Sequence, residues 1–198
     1  MSEQSPSVNR TVWLRENARP GEVVQATLVA DFPAERLAEV EAAWELWRAR
    51  RPDAEHSHWD WRNKTDPDLL RWLRLFAIER DGVQGLMAVL NRPTPSRLAP
   101  DAPLMYVSVL ETAPWNLPQF TDSPLYSGCG IQLLAAAAEM SEVSGWGGRI
   151  GLHSLEQAEQ FYDHCGMTRV GPDVEYGRLV YYELVPEVAV RLRTRLGT

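Results

Sequence analysis

At 198 residues, with 44% hydrophobic and 24% charged side chains, the chain suits one soluble domain with a sizeable core. Its net charge of −7, from 27 acidic and 20 basic residues, argues against a general binder of nucleic-acid phosphates and favours a cationic or amine-bearing acceptor. Two cysteines, Cys129 and Cys165, supply no disulfide framework and no Cys/His set for zinc. The longest apolar run, residues 131–138, is too short to span a bilayer, and the first seven residues carry neither a basic nor an apolar stretch. A cytoplasmic protein with no membrane and no nucleic-acid partner is the expectation.

The first 20 residues are polar and are expected to fray until about Thr11. Residues 23–30 are rich in β-branched side chains and predict a strand, which Asp31-Phe32-Pro33 ends. Leu37, Val40, Trp44 and Trp47 then recur at helical spacing, so the two tryptophans read as core anchors of a helix that Pro52 closes. His56-Ser57-His58 can hold a metal, but no third ligand stands at a supporting spacing and no metal site is expected. Trp59 and Trp61, with Asp60 between them, either enclose an amine by cation–π contact and charge or pack under a second helix over residues 66–74. Asp81-Gly82 between the strand-like runs 75–80 and 83–90 is a tight-hairpin signal. Residues 92–103 hold four prolines and read as a loop, and residues 103–112 form the longest β-type run, a central strand.

Tyr126-Ser127-Gly128-Cys129-Gly130 is a Gly-x-Gly turn that runs into an alanine- and leucine-rich helix over residues 131–140. That arrangement aims free backbone N–H groups and a positive helix end at an anion. A short strand over 149–153 follows, then a helix over 154–166 that Ser154 and Gln157 open as a capping box and Gly166 stops. Residues 168–170 and 179–184 predict two final strands, and a short charged helix follows Pro186.

The glycine turn, with Ala158, Phe161, Tyr162, Gly166 and Met167 downstream, resembles the GNAT superfamily of N-acetyltransferases. Its members carry Arg/Gln-x-x-Gly-x-Gly/Ala at a helix start and Ala-x-x-Phe/Leu-Tyr-x-x-x-Gly-Phe further on. The order of predicted elements resembles the same family over nearly the whole chain. The resemblance implies an α/β (α+β) fold whose mixed central sheet is splayed between its fourth and fifth strands and flanked by helices. It also implies acetyl-CoA as co-substrate, no metal, and direct acetyl transfer in a ternary complex to a primary amine on a small molecule or peptide. The exposed strand edges of such a fold are compatible with a homodimer.

On that likeness, the backbone amides of Tyr126, Ser127, Gly128, Cys129, Gly130 and Ile131 hold the pyrophosphate. Leu110, Glu111 and Thr112, at the end of the central strand, meet the thioester where a β-bulge opens the edge. Tyr162 takes the place of the family's tyrosine, a phenol that stays protonated at neutral pH and protonates the departing thiolate. The alternative for Tyr162 is a plain core aromatic beside Phe161. His153 is the first candidate for the base because it titrates in the right range, with a structural cap as its alternative. Glu79, Glu111 and Asp60 follow it.

The chain also departs from the family pattern. Leu125 stands where the motif's Arg/Gln belongs, Leu155 where an asparagine is common, and the link from Pro114 to Gly128 is long. These departures support a second function, a catalytically inactive GNAT-fold sensor of acyl-CoA or of a protein partner. Trp115 and Phe120 in the long link form either a lid over the pantetheine arm or a cover for the helix that begins near Ile131.

Overall fold

The computed structural model describes residues 9–53, 60–62 and 67–196; His56, His58 and Trp59 lie outside the described residues. β1 (Arg10–Glu16) pairs antiparallel with β2 (Val23–Ala30), from Arg10↔Leu28 to Arg15↔Val23. The strand begins within a residue of Thr11, where the expected fraying ends, and residues 1–8 lie outside the described residues. Val12 and Leu14 alternate onto the buried face, and β2 satisfies the backbone between them. α1 (Leu37–Arg48) buries Leu37, Val40 and Trp44 as its spacing predicts, and also Glu41 and Arg48. α2 (Pro67–Leu70) is a single turn, shorter than expected, because Leu73 and Arg74 already belong to β3 (Leu73–Glu79).

β3 turns into β4 (Val83–Leu90) through Asp81 and Gly82, whose φ values of 51° and 107° are the left-handed backbone a tight turn requires. Gln84 is an extra residue in β4, between Val83 opposite Glu79 and Gly85 opposite Ile78. β5 (Thr94–Pro95) is a short pairing within the proline-rich loop, against the start of β6 (Pro103–Thr112). Opposite β4, β6 pairs Val107 with Val89 and Val109 with Ala88, which leaves Ser108 as a bulge. The bulge was expected at residues 110–112. Two residues earlier, it reverses the phase of the strand: Met105 and Val107 face one core, and Leu110 returns to that same face.

β7 (Tyr126–Ser127) pairs with β1 and leads into α3 (Cys129–Val143). β8 (Ile150–Ser154), α4 (Glu159–His164), β9 (Thr168–Pro172), β10 (Val180–Leu184) and α5 (Pro186–Leu196) complete the chain. The sheet runs β7-β1-β2-β3-β4-β6-β8-β10-β9. Among the described strands only β6 and β8 are parallel, and they pair at just Met105↔Ile150 and Tyr106↔Gly151 before they part. A mixed sheet splayed between these two strands is the architecture the motifs implied. Helices α3, α4 and α5 cover one face, over a core that includes Met87, Val107, Leu133 and Leu152. α1 covers the other, over Trp44, Trp61, Leu75 and Leu86. No helix of the described residues is long and apolar enough to cross a membrane.

Two local expectations fail for one reason: a partner distant in sequence wins. Ser154 does not cap a helix, because it stays in β8 opposite Val180, and its hydroxyl donates to Leu155 O at 2.8 Å. The following turn, Glu156–Ala158, is 3-10, and α4 starts only at Glu159. Trp115 is neither lid nor cover for α3. It packs edge-on against Trp44 and Trp47 of α1, with ring centroids 6.3 and 6.1 Å away, on the opposite face of the sheet. Its Nε1–H donates to Gln84 Oε1 at 2.8 Å. Phe120 is buried, at 7% exposure.

Trp115→Ala removes this packing and leaves the Gln84 carbonyl one donor short. A loss of about 3 kcal/mol in unfolding free energy is expected, with little change in any binding property. Urea denaturation measures it; a variant as stable as the parent would mean that Trp115 does not hold the loop.

Candidate functional site

The splay opens two adjoining cavities. The first, about 320 Å³, is lined by Leu110, Glu111 and Thr112, by Tyr126, Ser127, Gly128, Cys129, Gly130 and Ile131, and by Tyr162. All nine cofactor-binding candidates and the tyrosine therefore share one space. His153 is not part of it; it lines the second cavity, about 340 Å³, together with Tyr106, Tyr176 and, again, Leu110 and Tyr162. Leu155 and Ala158 also border both, so Tyr162 stands at the junction.

The start of α3 lies open to the first cavity. Gly128 caps the helix with φ 101°, and a Cβ added there would meet nothing within 4 Å. The first intrahelical bond is Gln132 N–H to Gly128 O at 3.1 Å, so the N–H groups of Cys129, Gly130 and Ile131 have no partner within the helix. No acidic side chain stands in the first turn to compete for them. Tyr126 differs: its N–H donates to Asn116 Oδ1 at 2.9 Å, so it is a structural donor here. Asn116 Nδ2 in turn donates to Gln84 Oε1 at 2.9 Å, which ties the long link to the β4 bulge. Gly130 has a second duty. A Cβ there would lie 2.9 Å from the Phe161 ring, so its bare backbone lets α4 close against α3 and sets the height of Tyr162.

Tyr162 is 6% exposed, and burial raises its phenol above the ordinary tyrosine value, so it is a neutral O–H donor. Among the described residues its hydroxyl has no hydrogen-bond partner. Cys129, at the same helix start, has its thiol pushed up to about 12 by burial and stays a thiol.

His153 is held at both ring nitrogens. Nε2 lies 3.0 Å from Asp173 Oδ2, and Nδ1 lies 2.7 Å from the Tyr106 hydroxyl. Tyr176 stacks on the ring at 3.9 Å between centroids and 8° between planes. Burial lowers the His153 value, against the raising pull of Asp173. Arg97 also bonds Asp173, and the arginine first, then His153, holds that carboxyl down at about 2.

The remaining base candidates are engaged. Glu111 accepts Arg48 Nη1 at 2.8 Å and Trp61 Nε1 at 2.6 Å. Burial pushes its carboxyl up to about 7, although Arg48 and Trp61 pull the other way. Arg48 also bonds Glu41, and all three side chains are 2% exposed. Trp61 is thus a core residue, fully buried, rather than one wall of an amine cage. Asp60 pairs with Arg62 at 3.0 Å and Glu79 with Arg36 at 2.7 Å. Among the described residues no group of three or more His, Cys, Asp or Glu side chains gathers as a metal would need.

Sequence reasoning missed Gln84, Asn116, Tyr106 and Asp173. Only Asp173 carried a local signal: its Oδ1 accepts the Glu175 N–H at 3.0 Å, the Asx arrangement that opens the turn holding Tyr176.

No family model matches the sequence, and no curated protein matches it. Solved structures do. A GNAT-family acetyltransferase from Listeria monocytogenes has 17% identity over 81% of this chain and 95% of its own, with a TM-score of 0.52. The PaiA N-acetyltransferase of Thermoplasma acidophilum, in complex with coenzyme A, has 16% identity over 81% of this chain and 98% of its own, with a TM-score of 0.54. AtaTR bound with AcCoA has 15% identity over 84% of this chain and 97% of its own, with a TM-score of 0.52. What this chain shares with them is the GNAT fold.

The burial of His153 has a consequence for stability. An unfolded histidine takes up its proton near 6.5, whereas the folded ring resists it to lower pH. The unfolded chain then binds more protons, so this contribution is complete above about pH 6.5 and is lost as pH falls below it. His153→Gln should flatten the decline in urea midpoint between about pH 7.5 and pH 5.5. Equal slopes in the two proteins would rule the effect out.

Proposed function

We propose that this chain is an acyl-CoA-dependent N-acyltransferase that moves an acetyl group from acetyl-CoA directly to a primary amine. One observation carries the reading: a single cavity joins the unpartnered N–H groups of a helix start to the splayed end of the central strand, with Tyr162 at its junction with a second cavity. The helix start suits a pyrophosphate, since Cys129, Gly130 and Ile131 offer donors and the dipole favours negative charge. The open space over Gly128 supports a close approach of that group to the backbone. The gap between β6 and β8 suits the pantetheine arm, with the backbone of Leu110, Glu111 and Thr112 beside the thioester.

In this reading Tyr162 donates its proton to the departing thiolate, and His153 serves the proton that the amine loses. The net charge of −7 favours an amine over a nucleic acid as the partner. A second reading, a coenzyme-binding sensor without turnover, draws support from Leu125. It is 50% exposed at the position where the family motif has a polar contact.

Calorimetry with acetyl-CoA and thiol release with an amine panel separate the two. Turnover is expected, and binding without thiol release from any amine would favour the sensor. Tyr162→Phe is expected to lower kcat by about a hundredfold and leave coenzyme A affinity within about twofold. Gly128→Val puts a β-branched residue at φ 101° and a side chain into the anion's path, and is expected to weaken coenzyme A binding by more than about tenfold. Unchanged affinity in that variant would remove the helix start from the site.

A further inference from the structure

We propose that Tyr106, His153 and Asp173 form a proton relay, with Tyr106 as the group that meets the acceptor amine in the second cavity. The inference rests on the acyltransfer reading and specifies how the amine loses its proton.

The strands bring the members together. Met105, Val107, Ile150 and Leu152 all belong to the α3-side core, so Tyr106, between the first two, and His153, next after Leu152, point to the opposite face. There Asp173, from the turn between β9 and β10, completes the line. A carboxylate only accepts hydrogen bonds, so the His153 nitrogen facing Asp173, Nε2, carries the proton. In the neutral ring Nδ1 is then an acceptor, and the Tyr106 O–H donates to it. The donor order is hydroxyl to imidazole to carboxylate, as in a serine-hydrolase triad, with a phenol in the serine's place.

Three further features go beyond what a packed histidine needs. The turn that supplies Asp173 also supplies Tyr176, which clamps the ring by stacking. Arg97 bonds the same Asp173 oxygen, Oδ2, that faces His153, and so keeps the carboxylate ionised. Tyr106 itself lines the cavity, so the chain begins at a surface a ligand can reach. The charged or titratable groups around His153 are Tyr106 from β6, Asp173 and Tyr176 from the turn, Tyr181 from β10 and Arg97 from the loop before β6. Glu183 is turned away, to Ser96 Oγ at 2.6 Å and the Arg97 N–H. Among the described residues no carboxylate lines this cavity, and His153, which does, has both ring nitrogens engaged, so Tyr106 is the group there through which a proton reaches the imidazole.

The step balances as follows. The amine nitrogen forms a bond to the thioester carbonyl carbon, and the C–S bond breaks. The amine's proton passes to Tyr106 Oη as the Tyr106 proton moves to His153 Nδ1, giving an imidazolium beside the Asp173 carboxylate. Tyr162 gives its proton to the thiolate, and solvent returns a proton from His153 to Tyr162. The products are an amide and a thiol.

The test uses thiol release from acetyl-CoA with aryl and alkyl amines, and a pH profile with an amine that stays uncharged across the range. The whole protein is expected to show an acidic limb in kcat/KM set by the relay. Tyr106→Phe is expected to lower kcat by about a hundredfold and abolish that limb, with coenzyme A affinity by calorimetry within about twofold. Asp173→Asn replaces an acceptor with a group that can donate to Nε2 and favours the tautomer whose Nδ1–H cannot accept from Tyr106. Imidazole nitrogen shifts by NMR read that reversal without any activity. Variants that turn over with the parent's limb, or an unchanged tautomer in Asp173→Asn, would overturn the relay while acyl transfer stands. Absence of thiol release by the unmodified protein with every amine would overturn the acyltransfer reading, and the relay with it.

Discussion

The structure depends on where β6 and β8 stop pairing. Two parallel strands must stay about 4.8 Å apart to keep their ladder, and these hold that distance only at Met105↔Ile150 and Tyr106↔Gly151. Beyond Tyr106, Ser108 bulges out of the ladder with β4, while β8 keeps its antiparallel bonds to β10 up to Ser154. Each strand then follows its other neighbour, and the gap between them becomes space. Both cavities lie in that space, and Leu110, Leu155, Ala158 and Tyr162 border each of them. A bulge in a central strand costs ladder hydrogen bonds, but it is also what re-aims the side chains after it. Here it turns Glu111 toward α1 and leaves Leu110 on the cavity side.

The two faces of the sheet then divide the work. On the α1 face, Arg48 sits between Glu41 and Glu111, and Trp61 donates to the same Glu111 carboxylate. Burying three charges is costly, so this cluster is poor evidence of extra stability. What it does is fasten the last residues of β6 to α1, because a buried carboxylate left without partners would cost more still. On the other face, Gly130 lets Phe161 reach within contact of α3, and that contact seats α4 and Tyr162. The site is thus held from below by an ionic cluster and from above by a helix–helix contact. Gln84 and Asn116 close its edge by fixing the loop that precedes α3.

The candidate site was half legible in the sequence. Gly128, Gly130 and Tyr162 stood out because their roles are local: a positive φ, a helix start, a position in a short motif. The hairpin at Asp81-Gly82 was legible for the same reason, since left-handed backbone at adjacent residues narrows the choice of side chain. The capping box at Ser154 was misread although its local pattern was right, because the ladder to Val180 outweighs a side-chain cap. Trp115 was assigned to the wrong face, since nothing near it in the chain announces Trp44 and Trp47.

What the sequence determined by itself was the set of elements whose periodicity and turn chemistry are complete within a dozen residues: α1, the β3–β4 hairpin, β6, and α3 with the two glycines at its start. What only tertiary structure decided was every interaction between side chains far apart in the chain. Tyr106, His153, Asp173 and Arg97 come from four separate segments, and none of them implies another until β6 lies beside β8 and the turn before β10 folds over both. Glu111 read as a residue beside the thioester and a lesser candidate for the base, and its burial against Arg48 appears only when α1 packs on the sheet. The physical reason is the same in each case. A backbone conformation is selected by neighbours along the chain, whereas a buried polar side chain is satisfied by whichever partner the packing brings to it.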